Sequence, residues 1–126
     1  VIVLDTHAWI WWRSDPGRLS RRAAREIDRA KHLGLSAISL WEVSMLVRKK
    51  RIELDRELLE WVDGALEEDR LELLPLTPAV ATLGSGLELH GDPGDRIIAA
   101  TALLTGAALV TKDEKLQGYG PLKTVW

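Results

Sequence analysis

The chain has 126 residues, enough for one domain around one core, and its 46% hydrophobic content can fill that core. With 17 basic and 19 acidic residues the formal net charge is -2, so overall charge does not mark a nucleic-acid binder, and any polyanion must be held by local patches. The absence of cysteine excludes disulfides and thiolate metal sites and agrees with a reducing compartment.

Val1-Ile2-Val3-Leu4 is a β-branched run suited to a strand buried on both faces, and Asp5 ends it. A short apolar helix through Trp12 follows, then the turn cluster Ser14-Asp15-Pro16-Gly17, then a helix from Arg18 to Lys31 with Leu19, Ala23, Ala24 and Ile27 at helical spacing. Leu33 to Ile38 reads as the second strand. Ser39-Leu40-Trp41-Glu42 opens a helix to about Lys50, and Asp55 is expected to cap another that carries Leu58, Leu59, Val62 and Leu66 on one face. Leu71 to Pro75 reads as a third strand, Thr77-Pro78 and Asp92-Pro93 open two further helices, Ala107 to Thr111 is a fourth strand, and Leu122 to Val125 adds an edge strand. Strands alternating with helices predict an α/β domain over residues 1–126, with a central parallel sheet of about four to five strands and helices on both faces. The uncharged stretch Ile97 to Val110 is too short to span a bilayer, which takes about 20 residues. No leader pattern is visible, so a soluble cytoplasmic protein is expected.

In such sheets ligands collect at the carboxyl ends of the strands. Four acids fall where a strand turns into a helix: Asp5, Glu42, Asp95 and Asp113. Each has a plain structural use. Glu42 stands three residues after Ser39, the spacing of a capping box, while Asp92, Pro93 and Asp95 fit an N-cap, a proline at N1 and an acid at N3. An acid in a first helical turn gains roughly 0.3–1 kcal/mol from the helix dipole, which would justify any one of them alone. Asp5 and Asp113 directly follow apolar runs at the sheet rim, and carboxylates gathered there would repel one another unless a hard cation lay between them.

The segments Val3-Leu4-Asp5-Thr6-His7-Ala8-Trp9, Ser39-Leu40-Trp41-Glu42-Val43-Ser44, Asp92-Pro93-Gly94-Asp95-Arg96-Ile97-Ile98 and Leu109-Val110-Thr111-Lys112-Asp113 resemble, in order and spacing, the PIN-domain ribonucleases. More narrowly, the chain looks like a VapC-type toxin of a bacterial toxin-antitoxin pair. The resemblance covers nearly the whole chain. Gly94 departs from it, because similar proteins usually carry an aromatic between the proline and the aspartate. The resemblance implies a metal-dependent endoribonuclease in which Asp5, Glu42, Asp95 and Asp113 form an acidic quartet around one or two Mg²⁺ ions, with Mn²⁺ as a substitute. Asp5 and Asp95 are implied as direct ligands and Asp113 as a direct or water-mediated one, while Glu42 could position or deprotonate the attacking water. Implied partners are an RNA substrate, a cognate antitoxin and a second copy of the chain in a homodimer.

Thr6 and Thr111 are candidates to hydrogen-bond quartet carboxylates or substrate phosphate, and Arg96, next to Asp95, is a candidate for phosphate or for an ion pair within the quartet. His7 and His90 can titrate near neutrality, but their spacing has no metal-ligand logic. Asp92 reads as a cap. Arg48-Lys49-Lys50-Arg51 is expected to be a solvated helix end a full helix length from the acids, and Arg21, Arg22, Arg25 and Arg29 form a stripe that could meet RNA or an acidic partner. Six tryptophans with one tyrosine and no phenylalanine is unusual usage. Trp9, Trp11 and Trp12 cannot all face one side of a helix, so at least one approaches the surface, whereas Trp41 and Trp61 are expected in the core. A phosphoacceptor receiver module, also α/β with strand-end aspartates and Mg²⁺, is the alternative from another class. It lacks support in the missing acidic pair of the opening strand and in Leu71 to Pro75, which leads into Leu76 and Thr77 rather than an aspartate. A PIN domain that has lost catalysis and only binds RNA or a partner is a third reading.

Overall fold

The computed structural model describes residues 1–89 and 91–126. His90 lies outside the described residues, so its place relative to the acids is not assigned. Five parallel strands, β1 (Ile2–Leu4), β2 (Leu33–Ser36), β3 (Leu71–Leu74), β4 (Ala108–Val110) and β5 (Thr124–Val125), form one sheet in the order β3-β2-β1-β4-β5. Among the described residues seven α-helices connect them: α1 (Thr6–Ser14), α2 (Arg21–Arg29), α3 (Ile38–Arg48), α4 (Leu58–Leu66), α5 (Pro78–Gly86), α6 (Pro93–Thr105) and α7 (Glu114–Gln117). The α/β layout, the parallel pairing and the helices on both faces are those the alternation of periods predicts. The strand order also separates this fold from the receiver modules, whose sheet runs 2-1-3-4-5. Here chain order reverses between β1 and β4, and a crevice is expected above that switch point.

Alternation along the strands fills two cores. Leu4, Leu33, Leu35 and Val110 pack with Trp9, Ile27 and Trp61 on one face. Val3 and Leu109 pack with Ile98, Ala99 and Ala102 on the other. Fully burying side chains of this size contributes roughly 1.5–3 kcal/mol each, so these residues hold the sheet against its helices. Trp9 is fully buried and meets Trp61 edge-on at 5.0 Å, while the Trp61 indole N–H donates to Ser14 Oγ at 2.9 Å.

Several boundaries differ from the expected ones for local reasons. Helix α2 starts at Arg21 because Ser20 caps it, accepting from the Ala23 amide at 3.0 Å, and Pro16–Arg18 form a separate 3-10 turn. Asp55 does not cap α4. Glu57 does, accepting from the Leu59 and Glu60 amides, while Asp55 pairs in solvent with Arg56. The buried face of α4 carries Trp61 and Ala65, and Leu59 is turned outward. Helix α6 follows the expected pattern, with Asp92 as N-cap, Pro93 at N1 and Gly106 closing it in the left-handed region at φ 70°. The short helix α7, capped by Asp113, was not legible as a helix. Among the described residues no helix is long and apolar enough to cross a membrane.

Candidate active site

Strands β1 and β4 are hydrogen-bonded neighbours, so the residues that leave them are neighbours too. The Asp5 amide donates to the Val110 carbonyl at 3.0 Å, which places Asp5 beside the Thr111-Lys112-Asp113 turn. Asp5 is buried and caps α1: Oδ1 accepts from the Ala8 amide at 3.1 Å and Oδ2 from Thr111 Oγ1 at 2.6 Å. Burial pushes the Asp5 pKa up, against the pull of those two donors. The Thr111 hydroxyl also accepts from the Asp113 amide at 3.0 Å, so one buried threonine ties two of the acids together. Asp113 in turn caps α7 through Oδ1.

Glu42 is set by a tertiary contact and not by a capping box. Helix α3 begins at Ile38, after Ala37, so Ser39 lies inside the first turn and caps nothing. Its hydroxyl pairs with Thr6 Oγ1 at 2.8 Å, and Thr6 Oγ1 donates to Glu42 Oε1. Thr6 has a single proton, so with that proton on the carboxylate Ser39 must be the donor to Thr6. Burial raises the Glu42 pKa, the Thr6 bond opposes this, and the charges of Asp92 and Asp5 add to the rise. The other Glu42 oxygen lies against Gly94: a Cβ there would stand 2.5 Å from Oε2. The glycine that departs from the resemblance is thus the position where α6 comes close to the Glu42 carboxylate.

Asp95, in the first turn of α6, brings the third element to the site. Its pKa is pushed up to about 7, first by burial and then by the charges of Asp113, Glu42, Asp92 and Asp5. These five carboxylates and that of Glu114 line one cavity of about 730 Å³ above the switch point. Asp92 caps α6 through the Gly94 amide, as expected, and lines the cavity as well. The donor set is all oxygen and suits a hard divalent ion, whose charge would relieve the mutual repulsion recorded at Asp95. Among the described residues no three such side chains stand arranged to hold an ion. Asp5, Asp95 and Asp113, with Glu42 beside them, are the groups that could hold one.

Of the supporting candidates, Thr6 and Thr111 are placed on the carboxylates, whereas Arg96 is not. It forms no ion pair among the described residues and does not line the cavity, and its Nε is buried without a hydrogen-bond partner. His7 is exposed at the cavity edge and packs against Trp11 at 5.5 Å. The arginines of α2 are exposed and lie away from the cavity.

The cavity also holds residues that sequence reasoning placed elsewhere or passed over. Lys49 and Arg51 line it, although their run was expected to be remote solvated surface. Helix α3 runs along the cavity wall and ends in a Schellman turn, in which the Arg51 amide donates to Leu46 and that of Lys50 to Val47, with Lys50 left-handed at φ 58°. That turn folds Arg51 back toward the wall. Lys112 lines the cavity as well, its Nζ 5.7 Å from the centroid of the Trp11 ring. Trp41, expected in the core, is 60% exposed and also lines the cavity, whereas Trp61 is buried as expected. Its place directly before Glu42 gave no signal, because neighbours on a helix diverge by about 100° and only packing shows which of them borders the opening.

The fold and its acid-lined crevice define a class, and the description PIN domain matches residues 2–120; the chain belongs to the PIN-domain family. Among characterised relatives, it is 38% identical over 129 aligned positions to ribonuclease VapC22 of Mycobacterium tuberculosis, covering 99% of this chain and 98% of that protein. Among solved structures it is similar to a DNA-bound VapBC from Salmonella typhimurium, with a TM-score of 0.72 and 22% identity over 98% of this chain and 95% of that one. VapBC2 from Rickettsia felis, bound to a DNA fragment from its promoter, gives a TM-score of 0.71 at 18% identity over 98% and 96% of the two chains. FitAcB from Neisseria gonorrhoeae gives 0.67 at 21% identity, again over 98% and 96%. At those identities the structural likeness is one of fold.

Proposed function

We propose that this chain is a metal-dependent endoribonuclease that acts as the toxin of a bacterial toxin-antitoxin pair, in the cytoplasm, with Mg²⁺ or Mn²⁺ as cofactor. The observation that carries the reading is the convergence of Asp5, Glu42, Asp95 and Asp113, from separate parts of the chain, on one cavity where burial first and the neighbouring charges second push the Asp95 pKa up to about 7. Identity to a named ribonuclease across the whole chain supports the activity, and the fold shared with toxin-antitoxin complexes supports an antitoxin partner. A homodimer is carried over as part of the same reading.

Bound among these acids, a divalent ion supplies a Lewis acid and lowers the pKa of a water for attack on phosphorus. The chain's own residues do the rest. Asp5, Asp95 and Asp113 would hold the ion, and the Thr111 hydroxyl orients Asp5 by donating to it and opposes the rise that burial gives its pKa. Glu42, held by the hydrogen bonds from Ser39 through Thr6, would accept a proton from the attacking water. Its raised pKa makes it a better base than a solvated glutamate. Lys49, Arg51 and Lys112 offset the negative floor and attract the RNA backbone.

The test is cleavage of a total-RNA pool by the purified chain with Mg²⁺, Mn²⁺ or EDTA, beside Asp5→Asn prepared identically. Metal-dependent cutting that the variant lacks is expected. Equal cutting by both would remove Asp5 from the chemistry and with it the proposed site.

A further inference from the structure

We propose that the open ring of Trp41 is a nucleobase platform: single-stranded RNA in the cavity stacks one base on Trp41 while Lys49 and Arg51 take the phosphates beside it. The inference rests on the ribonuclease reading and goes beyond it by naming where the nucleotide flanking the cut is held. Trp41 is the exposed member of the tryptophan set. Trp9 and Trp61 are buried, and Trp11, Trp12 and Trp126 are half-buried and packed against other rings or cations. Among the described residues no aromatic ring or cation covers Trp41, which leaves a large planar surface free beside Glu42.

Its surroundings select the occupant. Trp41, Met45 and Lys49 recur every four residues, so they share one face of α3, and all three line the cavity. The Schellman turn adds Arg51 to the same wall. A π face followed about two helical turns on by two cations along the same wall is a combination that binds single-stranded nucleic acid, where stacking tolerates any base and the cations track the backbone. An amphipathic helix would need a longer apolar strip. Here the strip beyond Trp41 is Met45 and Leu46, both half-buried, before the cations end it.

Binding can be read without cleavage. Fluorescence anisotropy of a labelled randomised-sequence RNA pool is followed with the Asp95→Asn chain in Mg²⁺, and again with Trp41→Ala or Trp41→Tyr added. Because the side chain is exposed, both variants should melt with their parent. Trp41→Ala should weaken binding about tenfold or more, and Trp41→Tyr should restore it to within about threefold. In the chain with Asp95 intact, Trp41→Ala should raise KM with little change in kcat. Lys49→Ala should reduce the slope of log affinity against log salt by about 0.7. Unchanged RNA affinity in Trp41→Ala, in a chain that still cuts RNA, overturns the platform and leaves the ribonuclease reading intact. If that variant instead loses association with a co-expressed antitoxin while RNA affinity holds, the face belongs to a protein partner and the proposal falls. A chain that neither cuts nor binds RNA overturns both.

Discussion

Replacing Asp95 by asparagine should stabilise the metal-free chain, and only above the acid range. An acid whose folded pKa exceeds its unfolded value keeps a proton in the folded chain that the unfolded chain has already lost. Stability therefore falls as pH rises through that window, here from the ordinary value of 3.8 to about 7. A shift of that size on a fully desolvated group would cost about 4 kcal/mol. Asp95 is only half-buried and solvent screens its neighbours, so about 2 kcal/mol is the better figure. Among the described residues no hydrogen bond holds its carboxylate, so asparagine removes charge without breaking a contact. For a chain of this length that corresponds to a rise in Tm of roughly 5–10 °C. Thermal unfolding in EDTA at pH 5 and pH 8 measures it: the variant's advantage should be small at pH 5, low in that window, and reach its full size at pH 8, and Mg²⁺ should raise the parent toward the variant. A gain equal at both pH values, or no gain at pH 8, would refute the claim that the acids repel one another in this cavity.

Thr111→Val removes the hydroxyl that donates to Asp5 and accepts from the Asp113 amide, so it should cost about 1–3 kcal/mol in urea unfolding, with Thr111→Ser near the parent; equal stability would show the bonds to be dispensable. Gly94→Ala should separate stability from activity. The added Cβ displaces Glu42 Oε2, so cleavage should fall on the order of a hundredfold. Tm should hold or rise, because alanine favours the helix by about 1 kcal/mol. Parallel loss of both would point to general disruption instead. Lys50→Gly should stabilise the chain by about 1 kcal/mol, because the left-handed position that closes α3 penalises a side chain. Denaturant midpoints that do not rise would contradict that.

The layout was legible because it depends on chain-local signals. The strand runs, the Thr77-Pro78 and Asp92-Pro93 helix starts and the acids at strand ends each declare themselves within a few residues. What was misread depends on contacts across the sequence. Ser39 and Glu42 have capping-box spacing, yet both turn to Thr6, more than thirty residues away, because α3 starts two residues too early for Ser39 to cap it. The Arg48 to Arg51 run looked remote because helix direction and the left-handed turn at Lys50 are invisible in composition, and Gly rather than Lys is the usual marker of such a turn. Trp41 and Trp61 are both hydrophobic helix residues by pattern. Only packing decides that Trp61 meets Trp9 and that Trp41 stays open. Arg96 follows Asp95 in sequence but diverges from it by about 100° on the helix, which takes it away from the cavity.

Everything proposed for this cavity depends on its acids holding a divalent ion. Calorimetric titration of the purified chain with Mn²⁺ at pH 7, repeated in buffers of different ionisation enthalpy, measures that directly. Saturable binding with proton release is predicted, since Asp95 is partly protonated at that pH and must lose its proton to bind, and Asp95→Asn should weaken binding and abolish the release. Absence of binding, or binding and proton release unchanged in Asp95→Asn, would contradict the site.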